Sequence, residues 1–273
     1  MDLFINQLEE HQILSSYNFA RNADIVFSES LTRKQYEKLE LPEHNIISEN
    51  KYYIIYKISS FKLKENDVIY CNNYFYKDLF KLLSKVKTFK NIKLITGQTD
   101  KNITKRDFKL KPKCVSEWYA PNINYSDESL ISLPIGLAND HPKNLNFNNF
   151  NSLKKNDAKN EKVYLNFEVN TNFYIRNRAL KKLSEHNWVE NETQRLDLND
   201  YVKKLNSFKY ILCPEGNGID THRVWESIYA GTTPVVKKNI FYEQFKNLPI
   251  VMVDALYKTN FNQIEKQFKK LDT

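Results

Sequence analysis

The sequence predicts an α/β protein built of two doubly wound domains facing each other across a cleft. Three observations carry this. Short runs of β-branched and aromatic residues alternate with segments of helical apolar spacing. The alternation occurs in both halves of the chain. Between the halves, Asn139–Asn160 is rich in Asn, Lys and Asp and poor in aliphatics, and reads as a loop or linker. The boundary is placed near residue 155, giving domains 1–155 and 156–273; a length of 273 residues suits two domains of the common size.

In the first half, the clear strand is Lys51–Ile58, KYYIIYKI, followed by Asp67–Cys71, DVIYC. A helix is predicted over Tyr74–Phe89, where Phe75, Leu79, Phe80, Leu82, Leu83 and Val86 recur near helical spacing. Asn91–Thr96 is the next strand, and strand–helix–strand order implies a parallel sheet covered by helices. Cys114–Trp118 and Leu130–Leu133 read as shorter strands, the second running into Leu133–Gly136, LPIG.

The second half restarts the alternation. Lys162–Phe167 is a strand, and Asn172–Glu185 a helix with Thr171 or Asn172 as N-cap. Asn187–Glu190 forms a short strand and Asp200–Asn206 a helix. Phe208–Cys213, FKYILC, is a buried type of strand, the polar loop Pro214–Gly218 follows, and a helix runs from about Asp220 to Ala230. Gly231 stands where a helix-ending glycine belongs. Thr233–Val236 and Pro249–Val253 are strands; Phe241–Lys246 and Phe261–Leu271 are helices. No tandem repeat of 20–50 residues occurs.

Composition excludes several classes. Hydrophobic residues are 41% and aromatics 14%, enough to bury a core and exclude full disorder. Three Cys exclude a disulfide scaffold and fit a reducing compartment. The net charge, 41 basic minus 33 acidic, is +8, spread along the chain rather than in blocks. That suits a solvated lysine-rich surface or an anionic small ligand better than a nucleic acid. The N-terminal stretch lacks the apolar run of a signal peptide, and no stretch approaches the ~18 apolar residues of a membrane span. The expectation is a soluble, cytoplasmic protein. The amphipathic Phe261–Leu271 could touch an anionic membrane or pack back on its domain.

Tyr210–Val236 is the densest segment and holds three of the five glycines. A buried strand ends at Cys213, a loop carries Glu215, Gly216, Asn217 and Gly218, and a helix opens near Asp220 and Thr221. Open α/β sheets bind ligands beyond the carboxyl ends of their strands. A helix start presents free N–H groups to phosphate, and glycine permits close approach. The segment is neither a dinucleotide fingerprint, since position 221 is Thr, nor a P-loop. Arg223 and Glu226 share a helix face; Arg223 could grip phosphate and Glu226 ribose hydroxyls, or the two could form a local ion pair. His222 is a surface, capping or catalytic group. No metal-ligand spacing or GxSxG elbow is present, so no protein-built metal site is expected.

The run Glu215-Gly216-Asn217-Gly218-Ile219-Asp220-Thr221-His222-Arg223-Val224-Trp225-Glu226, with Ala230-Gly231 and Thr233-Pro234-Val235-Val236, resembles the donor-binding segment of exostosin-type glycosyltransferases and of α1,3-fucosyltransferases. Weaker likenesses are Tyr164–Phe167 with Thr171, Asn172, Arg176 and Arg178, Leu248–Asp254, and Pro134–Leu137; residues 1–110 lie outside the resemblance. His222 stands where fucosyltransferases have an acid. The resemblance implies a GT-B-like fold of two Rossmann-like domains, the first binding a hydroxyl-bearing glycan or other acceptor, the second a nucleotide-sugar, UDP- or GDP-linked. It implies transfer without a required metal or other cofactor, the departing diphosphate being stabilised by a helix start and basic side chains.

On that reading Arg223, with Arg176 or Arg178, holds the diphosphate. Gly216, Asn217, Gly218 and the helix start at Asp220 and Thr221 bind the donor, providing backbone N–H groups. Glu226 orients the ribose, and Glu215 contacts sugar or ribose hydroxyls. An inverting enzyme needs a general base from the first domain; Asp140 is ranked ahead of Asp100, Glu117 and His141 because it follows the strand near LPIG. A retaining enzyme needs none. The competing expectation is a non-enzymatic nucleic-acid or phosphate-binding module. A sugar-nucleotide epimerase or dehydrogenase is disfavoured by the broken GxGxxG.

Overall fold

A computed structural model of the chain describes residues 4–138, 143–150 and 153–271. Asp140 and His141, two of the candidate bases, lie outside the described residues. The chain divides into two units: Leu14–Asn144, and Met1–Ile13 together with Leu145–Thr273. This corrects the expected division at 155. Leu145, Phe150 and Leu153 are buried apolar anchors that tie the Asn-rich stretch to the second unit. Phe4, Ile5 and Ile13 are likewise buried, in the short leading segment of that unit.

The first unit opens with α1 (Ser16–Arg21), capped by the Ser15 hydroxyl, and β1 (Ile25–Thr32). There follow α2 (Arg33–Glu37), β2 (His44–Glu49), β3 (Tyr53–Ile58) and β4 (Val68–Asn72). Then come α3 (Tyr76–Leu83), β5 (Ile92–Gly97), α4 (Lys105–Phe108), β6 (Val115–Ala120) and β7 (Leu130–Ser132). The sheet order is β2-β3-β1-β4-β5-β6-β7. The run from β1 through β7 is parallel, whereas β3 pairs antiparallel with both β1 and β2. An antiparallel edge on a parallel sheet is a common departure from pure doubly wound order. The α3 stripe Tyr76, Leu79, Phe80 and Leu83 is buried, and its helix stops at Leu83 rather than running to Phe89.

The second unit is β8 (Asn160–Leu165), α5 (Phe173–Leu183), β9 (Val189–Asn191), α6 (Leu198–Ser207), β10 (Phe208–Leu212), α7 (His222–Tyr229), β11 (Thr233–Lys237), α8 (Ile240–Glu243), β12 (Val251–Val253) and α9 (Phe261–Phe268). Its five strands are all parallel, in the order β12-β11-β10-β8-β9. Counted along the chain this is the doubly wound order 2-1-3-4-5, whose direction reverses between β8 and β10. The crevice beyond the carboxyl ends of those two strands is therefore the place where the topology opens a ligand site.

Val163, Leu165, Ala179, Leu183, Tyr210, Leu212, Val235 and Val251 form the core of this unit. The apolar side of α9 also belongs to it: Ile264 is buried in the core, with Phe261, Phe268 and Leu271 packed against it. That side is occupied within the unit. No described helix is long and apolar enough to cross a membrane. Gly231 ends α7 as expected, with φ +70°, and Phe4 packs against it so closely that a β-carbon would stand 3.1 Å from Phe4 Cδ2.

Candidate anion site at the strand reversal

Two loops meet beyond β8 and β10, and Arg176 joins them. It lies in the first turn of α5 and is 4% exposed. Its Nε donates to Glu215 O at 3.0 Å, Nη1 to Glu168 O at 2.7 Å and Nη2 to Pro214 O at 3.3 Å. Asn172, the N-cap of α5, donates from Nδ2 to Gly216 O at 2.9 Å. A β-carbon on Gly216 would press to 3.1 Å from Arg176 Nη2, so the glycine leaves that guanidinium room. Two of the three guanidinium bonds thus hold the Pro214–Glu215 backbone and the third the Glu168 carbonyl after β8, so three of the five N–H groups are engaged within the protein. No carboxylate ion pair reaches Arg176 among the described residues. Burial, with the positive charge of Arg223 beside it, pushes Arg176 down to about 10.

Arg223 opens α7. Burial alone depresses its guanidinium, but Tyr201 and Glu226 more than compensate and hold it above its ordinary value. The Tyr201 hydroxyl, on α6, donates to Glu226 Oε2 at 3.3 Å. Glu226 Oε2 is thereby engaged by Tyr201. Burial holds the Tyr201 phenol protonated, far above its usual range. Buried Cys213 behind it is pushed up to about 12 by burial, so it is an inert thiol here.

Two polar atoms in this region are buried without a hydrogen-bond partner: Arg223 Nε and Thr221 Oγ1. Buried polar groups are almost always paired, so each orphan needs an explanation. Thr221 is also the N-cap of α7, yet its side chain makes no capping bond. The helix start is consequently left uncapped by its N-cap side chain beside two guanidinium groups. Among the described residues the Glu215 carboxylate, half-buried in the loop, has no hydrogen-bond or ion partner either.

Asp220 departs from its expected role. Its Oδ1 accepts from Thr221 N at 2.9 Å and from the Tyr242 hydroxyl at 3.0 Å, while Oδ2 accepts from Trp225 Nε1 at 2.8 Å. It is 2% exposed and acts as the anchor of the loop. Arg178 departs as well. Two positions beyond Arg176, it lies on the other side of α5 and is exposed, its guanidinium 3.7 Å from the centroid of the Tyr257 ring. It is not part of the site. Gly218 is buried beside exposed Asn217, and Gly216 N donates to Gly218 O at 3.1 Å, closing the loop on itself. His222 is exposed on the first turn of α7.

In the first unit, Glu117 lies on β6, accepting from the Tyr119 hydroxyl at 2.7 Å and pairing with Lys93 at 3.4 Å. The Tyr119 bond is the main reason that its carboxyl is held below the usual range, the wrong direction for a general base. Asp100 is exposed in the loop after β5.

Sequence reasoning passed over Tyr201, whose contact with Glu226 is made between two helices, and the aromatic pair Phe173 and Tyr174, 62% and 74% exposed on the first turn of α5 beside Asn172. It also passed over Glu29, a wholly buried carboxylate on β1 that pairs with Arg21 and keeps a partnerless Oε1. Burial, only partly offset by Arg21, pushes Glu29 up to about 7. Glu29 is sealed from solvent and is a core pair. Among the described residues no group of three or more His, Cys, Asp or Glu is arranged to hold a metal ion. No known protein-family model matches the chain, and a search of curated proteins finds no match.

Proposed function

We propose that the second unit binds the diphosphate of a nucleotide-sugar and that the protein is a glycosyltransferase. One observation carries the reading. At the strand reversal, two neighbouring guanidiniums and the partnerless Arg223 Nε and Thr221 Oγ1 lie at the start of α7, whose Thr221 side chain makes no capping bond, without a compensating carboxylate on Arg176. Such a site is short of one anion. A diphosphate supplies acceptors for Nε and Oγ1 and relieves the repulsion between the two cations.

The chemistry follows from where charge develops. As the bond from the sugar carbon to the diphosphate oxygen breaks, negative charge grows on the leaving group, and fixed donors there stabilise the transition state more than the ground state. Arg223, in the first turn of α7, carries that role. Arg176 acts by fixing the Pro214–Glu215 backbone, and Asn172 holds Gly216 O. The partnerless Glu215 carboxylate is available to sugar or ribose hydroxyls. Exposed Phe173 and Tyr174 offer aromatic faces to a base, which favours a nucleotide over bare phosphate. In this reading the first unit receives the acceptor, the division of labour of a GT-B transferase.

Thermal-shift measurements with UDP, GDP, CMP, ADP and a single-stranded oligonucleotide test the proposal. Stabilisation by one nucleoside diphosphate at millimolar concentration or below is expected. Tight oligonucleotide binding with a steep salt dependence would instead favour a nucleic-acid module.

A further inference from the structure

At the amino ends of β8, β10 and β11 the second unit has a separate cavity of ≈ 390 Å³. Its wall includes Phe4, Lys159, Asn206, Ile228 and Gly231. Lys159 immediately precedes β8. Its Nζ donates to Asn206 O at 3.0 Å, and among the described residues no carboxylate forms an ion pair with it. The position of a β-carbon on Gly231 would be 3.7 Å from Nζ, so the missing side chain leaves the amine room. Asn206 Oδ1 is buried here without a donor.

We propose that Lys159 is a nucleophilic lysine, acylated in this cavity by small activated acyl donors such as acyl phosphates. The Nζ lone pair attacks the acyl carbon. The bond from that carbon to the phosphate oxygen breaks, phosphate leaves with the electron pair, and the proton released from nitrogen goes to water. The product is a neutral amide whose N–H can keep the bond to Asn206 O. The acyl group is small against ≈ 390 Å³ of space beside Phe4 and Ile228.

The protonation balance supports the geometry. Burial pushes Lys159 down to about 8, against a smaller opposing pull from Asp157. The other charged groups lining the cavity are Lys155, Glu161 and Lys209, and Lys209 is held by Glu161 and Glu265. At pH 7.4 roughly a fifth of such amines are neutral, against about one in a thousand for an ordinary lysine. Exposed Lys154 in the same segment is the internal reference.

The test treats the full chain with limiting acetyl phosphate and measures acetylation at each lysine by peptide mass spectrometry between pH 6.5 and 9.5. The expected result is acetylation of Lys159 about tenfold or more faster than Lys154 at pH 7.4, with a rate that levels off above pH 8. The same peptide from Lys159→Arg carries no acetyl group. A Lys159 rate equal to or below that of Lys154, or one still rising tenfold per pH unit at pH 9, overturns the proposal.

Discussion

Arg176 and Arg223 stand close enough that the charge of one weighs on the other: burial first, and the Arg223 charge second, depress Arg176, whose guanidinium donates to the carbonyls of Pro214, Glu215 and Glu168. Like charges are rarely brought together in a partly buried site without a counter-charge, because burial raises the cost of each. The arrangement is stable because Arg176 ties two loops and Arg223 has Tyr201 and Glu226 beneath it. In the proposed function a diphosphate supplies the missing counter-charge.

Gly216→Ala tests the packing against Arg176. The added methyl carbon meets Nη2 at 3.1 Å, and Nη2 is itself held by Pro214 O. A loss of about 1–3 kcal/mol in urea unfolding is expected, with diphosphate affinity falling as the loop shifts. Unchanged stability and affinity would show that the arginine yields freely and that the loop is not clamped.

Asp220→Ala removes the acceptor shared by Trp225 Nε1 and the Tyr242 hydroxyl, both on buried side chains. Each stranded donor costs about 1–3 kcal/mol, so chemical denaturation of this variant should show a loss of about 3 kcal/mol or more. A variant of normal stability that fails only in ligand binding would return Asp220 to the ligand.

The second unit was largely legible because buried parallel strands read as continuous apolar runs, FKYILC and TPVV among them. The first unit hid two of its strands. In β1 the run Ser28-Glu29-Ser30 breaks the apolar signal, and β2 is mostly exposed. The boundary was misplaced because Leu145, Phe150 and Leu153 are isolated among asparagines and reveal their burial only in three dimensions. Within the site, spacing found Arg223 and Glu226 but not which atoms were already engaged. Asp220 and Arg176 look like ligand groups in the sequence, and long-range bonds to Tyr242 and to the Pro214–Glu215 carbonyls assign them to the scaffold.

Glu29 gives the first unit a pH dependence of definite sign. Its carboxyl rises from 4.5 to about 7 on folding, so the folded state favours the protonated form. The contribution to stability is then full below about pH 4.5 and declines as pH rises through 7, by about 3 kcal/mol in all. Glu29→Gln should flatten the unfolding free energy between pH 5 and 8. A wild-type unit that becomes more stable over that interval, with the variant following it, contradicts the assignment.

Tyr174→Ala removes one of the two exposed aromatic faces beside the site. If the base stacks there, nucleoside diphosphate affinity falls by about 1–3 kcal/mol while inorganic pyrophosphate binding is unaltered. Equal losses for both ligands would place the effect on the α5 loop rather than on the base.

Calorimetric titration of the nucleoside diphosphate that stabilises the protein, against wild type and Arg223→Ala, tests the central claim most directly. A bidentate, charge-assisted contact contributes about 1.5–3 kcal/mol, so the variant should bind about 10–100-fold more weakly with its circular dichroism spectrum unchanged. Equal affinity in the two proteins would contradict the assignment of Arg223 to the diphosphate, and with it the anion site at the strand reversal.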